Sequence, residues 1–401
     1  MEYSEIEILI DNYHRKVANV AMGFKRYLYD KINWNARMIG IKGARGVGKT
    51  TMLLQHILEN YDDIDQTIYA SLDDLWFSSH TLMDLVDWAS QHGIKRLYLD
   101  EVHRYPDWSL VLKNIYDSYP DIGIVYTGSS LLSIDNASVD LSRRQTVYTL
   151  HGMSFREYLA LEDVLHISPI ALDDLLSNHL KYAMDIVRDV KIIPLFETYL
   201  RNGYYPFYKE SAGDYLEKLK NATLTAIDID LPAVEDVSYE TVQKTKRLLV
   251  LLSRQVPFVP NMSLLWKELD TNNTLGLRML YALGRAQILS LATTVVKSYK
   301  HLSKPEKIFL NNTNLMYALC PNVNKGTERE TFFFGQMSVN HNVALSKHGD
   351  FLVEEDLVFE VGGKNKTFEQ LKGEDKGYLA VGDTEMGHAN RIPLWMFGLL
   401  Y

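Results

Sequence analysis

Gly43-Ala44-Arg45-Gly46-Val47-Gly48-Lys49-Thr50 decides how the rest of this chain is read. The spacing G-x-x-x-x-G-K-[ST] is that of a P-loop, in which successive backbone N–H groups turn inward to cradle phosphates. Glycines at 43, 46 and 48 let the backbone come close to a ligand and take positive φ where the turn needs it. Lys49 would reach the β- and γ-phosphates, and the Thr50 hydroxyl would hold Mg²⁺. The flanks agree. Arg37–Lys42 reads as a short buried strand, and the run from Thr51 to Asn60 as an amphipathic helix whose N-terminus faces the phosphate. With Thr51, the eight loop residues form the candidate nucleotide-binding set.

Four further strand-length apolar runs follow: Thr67–Ser71, Arg96–Asp100, Ile122–Thr127 and Thr146–Leu150. Helical patterns near Thr81–Gln91 and Trp108–Tyr119 separate most of them, so the sequence predicts an α/β fold with a parallel sheet. Ligands of such sheets bind beyond the carboxyl ends of the strands, which is where the other motifs fall. Leu97-Tyr98-Leu99-Asp100-Glu101 has the Walker B form. Asp100 would hold the metal while Glu101 deprotonates the attacking water, two roles that one carboxylate fills poorly. At the tip of the next strand, Thr127-Gly128-Ser129-Ser130 offers a hydroxyl to the γ-phosphate or the water. Ser129 is the first choice and Ser130 the second, with a plain helix cap as the other reading. Arg143 and Arg144 could act as an arginine finger toward a neighbouring subunit, or form a solvated basic pair. Ahead of the loop, residues 4–33 place Leu9, Ile10, Tyr13, Val17, Val20, Ala21 and Phe24 at helical spacing, as one or two helices would.

The 401 residues are enough for two or three domains. A net charge of −9 excludes a chain coated with nucleic-acid-binding charge, though not a local basic face. Cys320 is the only cysteine, which leaves no disulfide framework or cysteine metal site and favours a reducing, cytoplasmic setting. The acidic start Met1-Glu-Tyr-Ser-Glu is unlike a signal peptide, and no apolar run reaches the ~18–20 residues that span a bilayer. The expectation is a soluble protein with no membrane partner.

The phrases GARGVGKTT, YLDEVHR, YTGSSLL and RRQTVYTLHGMSFREYL, in this order, resemble the AAA+ family of bacterial and archaeal ATPases. More narrowly they resemble the branch in which the ATPase module precedes a winged helix and a restriction-endonuclease-like domain. The resemblance implies a sheet order of 5-1-4-3-2 and ATP with Mg²⁺ as cofactors. It gives Lys49, Thr50, Asp100, Glu101 and Ser129 the roles argued above, and a trans-acting finger would imply a homo-oligomer. His103 and Arg104 lie in the matching phrase without an evident role, and a sensor-2 arginine is not evident either.

The domains are then 1–151, the ATPase domain with its N-terminal helices; 152–237, a helical connector; 238–300, a winged helix-turn-helix; and 301–401, the nuclease-like α+β domain. In the connector, Phe155, Tyr158, Leu159 and Leu161 form one stripe and Leu195, Tyr199 and Leu200 another, read as core. From 239 to 296 the pattern gives helices at Tyr239–Gln255, Ser263–Leu269 and Leu275–Ala286, then a strand-like Ile288–Val296. One of Asn272, Asn273 and Thr274 would cap the third helix. Three helices and a ribbon resemble a winged helix. Between 241 and 290, seven basic residues stand against Glu268 and Asp270, a balance suited to phosphate backbone. Arg278 and Arg285 are the main groups able to read bases; the alternative is a protein-docking module.

In the C-terminal domain, Asp350-Phe-Leu-Val353 and Phe359-Glu360-Val361 resemble the active-site strands of PD-(D/E)xK nucleases, with Glu330 on the preceding helix. Gly362 stands where E-x-K requires lysine, so Lys364 or Lys366 would have to serve. The segment reads as a degenerate structural or nucleic-acid-sensing domain. The function expected of the whole is Mg²⁺-dependent ATP hydrolysis coupled to rearrangement of DNA- or protein-binding C-terminal domains. The alternatives are a slow ATP-gated switch acting on a protein partner, and an ATP-linked metal-dependent nuclease.

Overall fold

A computed structural model describes residues 3–129, 141–211, 213–255, 257, 259, 261–294 and 304–401. Ser130, Val295 and Val296 lie outside the described residues. The chain forms two compact units, one of residues 1–151 and 228–237, the other of 152–227 and 238–401. Residues 228–237, which the sequence assigns to the connector, pack with the first unit.

The first unit is built on five parallel strands: β1 Met38–Gly43, β2 Thr67–Ser71, β3 Arg96–Asp100, β4 Gly123–Ser129 and β5 Thr146–Thr149. Their order is β2-β3-β4-β1-β5, the expected order read from the other edge. β1, β3 and β4 are apolar runs buried almost throughout, as strands covered on both faces must be. The parallel register sets Gly43 beside Ser129, Leu99 beside Tyr126, and Ser71 beside Asp100. The carboxyl ends of β1, β3 and β4 therefore meet on one edge of the sheet.

Helices α1 (Tyr3–Ala18), α2 (Lys49–Asn60), α3 (Leu82–Gln91) and α4 (Trp108–Ser118) pack around this sheet. Ile6, Leu9, Tyr13 and Val17 form the buried stripe of α1. The helical spacing read through Val20, Ala21 and Phe24 does not continue as helix. The Asn19 amide bonds the Arg15 carbonyl at the helix end, and the Ala21 and Phe24 carbonyls instead accept from the Gln55 amide at 2.7 and 2.8 Å. α3 starts from a reciprocal capping box between Thr81 and Asp84.

In the second unit, helices at Phe155–Leu161, Leu172–Val187, Ile192–Asn202 and Tyr215–Thr225 bury the two aromatic stripes as core. Further helices run Tyr239–Ser253, Met262–Glu268 and Asn273–Arg285, the last capped by Asn272. β6 (Leu289–Ala292) follows and pairs antiparallel with β7 (Lys307–Leu310). The expected boundary at 300/301 thus separates two paired strands. A five-stranded sheet contains β8 Val343–Leu345, β9 Phe351–Val353, β10 Leu357–Gly362, β11 Gly377–Val381 and β12 Arg391–Pro393. β8, β9 and β10 pair antiparallel, and β10, β11 and β12 parallel. The helix Lys325–Met337 packs on it through Phe332, Phe333 and Met337. The apolar tail forms β12 and a short 3₁₀ turn, and Tyr401 is fully buried with its hydroxyl on the Gly152 carbonyl. No helix among the described residues is long and apolar enough to cross a membrane.

Candidate active site

The loop leaving β1 makes its turn at Gly46 (φ 80°) and Gly48 (φ 94°), conformations an L side chain resists. Gly48 caps α2, so Lys49 and Thr50 open that helix beside the loop. Lys49 is buried, and its ammonium donates to the Gly43 and Ala44 carbonyls at 2.9 and 3.0 Å. Burial pushes its pKa down, while the charges of Glu101 and Asp100 oppose the shift. Val47, within the loop, is fully buried, and its carbonyl is held by the Arg26 guanidinium. Thr51, one residue further along α2, is exposed.

Asp100, at the end of β3, is buried and accepts from three hydroxyls. Thr50 donates at 2.6 Å, Tyr69 at 2.8 Å, and Thr127 on β4 completes the set. The Thr50 hydroxyl and the Asp100 carboxylate, the two groups expected to hold Mg²⁺, are thus direct neighbours. Both are hard oxygen donors, as that ion requires. Glu101 is in the left-handed region (φ 54°, ψ 40°), where a non-glycine residue costs roughly 1–2 kcal/mol. Its N–H is held by Asp100 and by the Thr127 hydroxyl, each at 3.2 Å, which turns the side chain out of the strand direction. Strain of this kind at the residue expected to activate water fits a fixed functional geometry.

His103 and Asp230 complete the cluster. His103 is buried, and its Nδ1 accepts from the Ser129 N–H at 3.3 Å, so Nε2 carries the proton in the neutral ring. Nε2 lies 3.4 Å from the Glu101 carboxylate and 3.4 Å from that of Asp230. Asp230 has almost no exposed surface and takes two bonds from the loop residue Arg45, at 2.9 and 2.7 Å. Burial pushes the Asp230 carboxyl up, but His103 and Arg45 outweigh it and hold the pKa at about 2. In the sequence, His103 lies in the family-like phrase YLDEVHR without an evident role, and no motif marks Asp230. An aspartate in Ala226-Ile-Asp-Ile-Asp230-Leu-Pro232 reads as helix surface, and the only available signal was a carboxylate set among apolar neighbours.

Ser129 is buried at the tip of β4, beside His103. Arg144 forms a bidentate pair with Asp117 on α4, at 2.8 and 3.0 Å, and Arg143 is exposed.

In the second unit, Glu330, Asp350 and Glu360 come near one another, close enough for the Asp350 charge to raise the pKa of both glutamates. Burial is the larger cause for each, and lysines oppose it. Lys307 pairs with Glu330 at 2.5 Å, and Lys366 pairs with Glu360. Asp350 accepts from the Val361 N–H at 2.8 Å. The lysine at this site is Lys366, not Lys364, which is exposed. The reason is Gly362: the Lys366 chain lies across it, and a Cβ at 362 would fall 2.7 Å from Lys366 Cγ. Among the described residues, no group of three or more His, Cys, Asp or Glu side chains is arranged to hold a metal ion.

Residues 35–159 match a family model described as an AAA domain. Among curated proteins, the uncharacterized protein MJ1637 of Methanocaldococcus jannaschii is 33% identical over 259 residues, covering 57% of this chain and 53% of that protein. The chain spans about half the length of the curated relative it matches. Loose superpositions are found with solved structures. A DNA replication initiation factor gives 11% identity, a TM-score of 0.26, and coverage of 71% of this chain and 89% of that one. The replication initiator DnaA bound to AMPPCP and single-stranded DNA gives 15%, 0.25, 69% and 86%. The Hsp104–ADP complex of S. cerevisiae gives 13%, 0.29, 68% and 39%. Overlaps this loose transfer no role. The AAA-domain match and the parallel five-stranded sheet support a P-loop NTPase fold and nucleotide-binding, ATPase-type function.

Proposed function

We propose that the first unit binds ATP with Mg²⁺ and hydrolyses it, and that the cycle rearranges the DNA- or protein-binding segments downstream. The observation that carries this reading is the 2.6 Å contact between the Thr50 hydroxyl and the Asp100 carboxylate, beside a loop of P-loop geometry. Mg²⁺ held by Thr50 and Asp100 would supply charge neutralisation at the phosphate oxygens. The backbone N–H groups of residues 43–50 and the N-terminus of α2 bind the phosphates, with Lys49 on the β- and γ-oxygens. Glu101 takes the proton of the water that adds to the γ-phosphorus as the bond to the β–γ bridging oxygen breaks. Ser129 orients that water or the γ-phosphate. Lys49→Ala should lose nucleotide affinity, whereas Glu101→Gln should keep it and lose turnover. Normal hydrolysis by Glu101→Gln would refute the assignment of the base.

Downstream, the three helices of residues 239–285, the β6–β7 ribbon and the local excess of basic residues favour weak, salt-sensitive contact with duplex DNA. The ATPase rate with and without duplex DNA, measured alongside the solution mass, tests both this and assembly through Arg143. An affinity for DNA unchanged from low to high salt would sink the nucleic-acid reading. We assign the C-terminal carboxylates a structural role, because Lys307 and Lys366 already pair with two of them.

A further inference from the structure

The segment Asp228–Val237 belongs to the first unit, yet in sequence it is preceded and followed by chain of the second. Its one fully buried charge is Asp230. That carboxylate takes a bidentate pair from Arg45, which lies inside the phosphate-binding loop, and stands 3.4 Å from His103 Nε2. The same Nε2 is 3.4 Å from Glu101, and His103 Nδ1 is fixed by the backbone N–H of Ser129. Nε2 is buried and meets good hydrogen-bond geometry with neither carboxylate. With a carboxylate 3.4 Å away on each side, the single Nε2–H of His103 lies between Glu101 and Asp230.

We propose that Asp230 is a positioning residue of the hydrolytic site: through His103 it orients Glu101, through Arg45 it fixes the phosphate-binding loop, and turnover therefore requires the 228–237 segment to be seated. Three observations agree. A buried aspartate costs several kcal/mol unless it is paired, so the segment is held where Arg45 and His103 are. Arg45 donates its fork to Asp230 at 2.9 and 2.7 Å, so the loop is tied to the segment through a side chain and not through the backbone N–H groups expected to bind phosphate. Glu101 is in a strained backbone conformation that its neighbours must hold, and the buried His103 ring lies 3.4 Å from its carboxylate. Both ends of the segment continue into the second unit, and what ties Asp230 to the first is its pairing with Arg45 and its approach to His103.

This inference rests on the ATPase reading, and the experiment separates the two. In the full-length protein, steady-state turnover is measured for wild type, Asp230→Asn and Glu101→Gln. Hydrogen exchange over residues 228–237 is measured without nucleotide for wild type, Arg45→Ala and His103→Gln. Asp230→Asn keeps the side-chain shape and should lower kcat at least about tenfold with KM within about threefold, as expected for an effect on the transition state rather than on binding. Exchange across 228–237 should rise in Arg45→Ala and His103→Gln while that of β1 stays unchanged. Wild-type kcat in Asp230→Asn, a rise in KM alone, or unaltered exchange in both variants would overturn the proposal and leave the ATPase reading intact. Absence of ATP turnover in the wild type would overturn both.

Discussion

Two places in this molecule gather carboxylates at the end of an apolar strand with a lysine at hand, and they neutralise that charge in opposite ways. At the end of β3, Asp100 is surrounded by the hydroxyls of Thr50, Tyr69 and Thr127, while Lys49 bonds carbonyl oxygens of its own loop. Neutral partners hold the charges in place without cancelling them, so both remain available to an external ion of opposite sign. On β10, the Glu360 carboxylate is paired by Lys366, and Glu330 by Lys307. There the cations are spent internally. A motif of strand, acid and lysine is therefore chemically ambiguous until the partners of each charge are known.

The largest test of this contrast is kinetic. Glu101→Gln should reduce ATP turnover by about 10²–10⁴-fold, the usual worth of a general base, while Glu360→Gln should leave kcat unchanged. Equal losses in the two variants would remove the distinction. Next comes stability. Lys366→Met strands the buried Glu360 and should cost on the order of 2–4 kcal/mol in urea unfolding, most of it recovered in the Glu360→Gln/Lys366→Met double variant.

Acid should move the two regions in opposite directions. His56 on α2 is buried against Trp34 and Tyr98, and burial holds its pKa at about 4, below its ordinary 6.5. The folded state thus binds that proton less readily than the unfolded chain, so the contribution of neutral His56 is full above 6.5 and is lost as pH falls toward 4. The loss from pH 7 to 5 should be about 2 kcal/mol. Glu330 and Glu360 have raised pKa values, so their unfavourable charge is relieved as pH falls through those values. Hydrogen exchange followed from pH 7 to 5 should show α2 loosening relative to β10; the reverse order would contradict both assignments. The smallest effect concerns Gly362. Gly362→Ala displaces the Lys366 chain and should cost about 1 kcal/mol by thermal unfolding, and much less in a Lys366→Gly background, where the Cβ 2.9 Å away is also gone.

What the sequence makes legible is what short-range pattern encodes. The strand–loop–helix around Gly43–Thr50 lies between Met38 and Asn60 and the strand ending in Asp100-Glu101 begins at Arg96, so each is a continuous short stretch, and parallel register does the rest by aligning strand ends. Asp230 is illegible because it meets Arg45 across 185 positions and follows no spacing rule. Lys366 is hidden for a different reason. Two glycines and two lysines after Glu360 allow more than one placement, and the choice is made by the space above Gly362. In α1 the apolar period runs on past Ala18, but the Asn19 side chain competes for the backbone and the helix stops.

The interrupted layout of the first unit also has a consequence during synthesis. Residues 152–227 leave the ribosome before Asp228–Val237, the last piece of the first unit, can be added. At roughly 5–20 residues per second this is a delay of several seconds. Throughout it the sheet can assemble, but Arg45 and His103 lack their shared acidic partner. A nascent chain would therefore carry a phosphate-binding loop before it carries a complete hydrolytic site, and ATP could be held before it could be consumed.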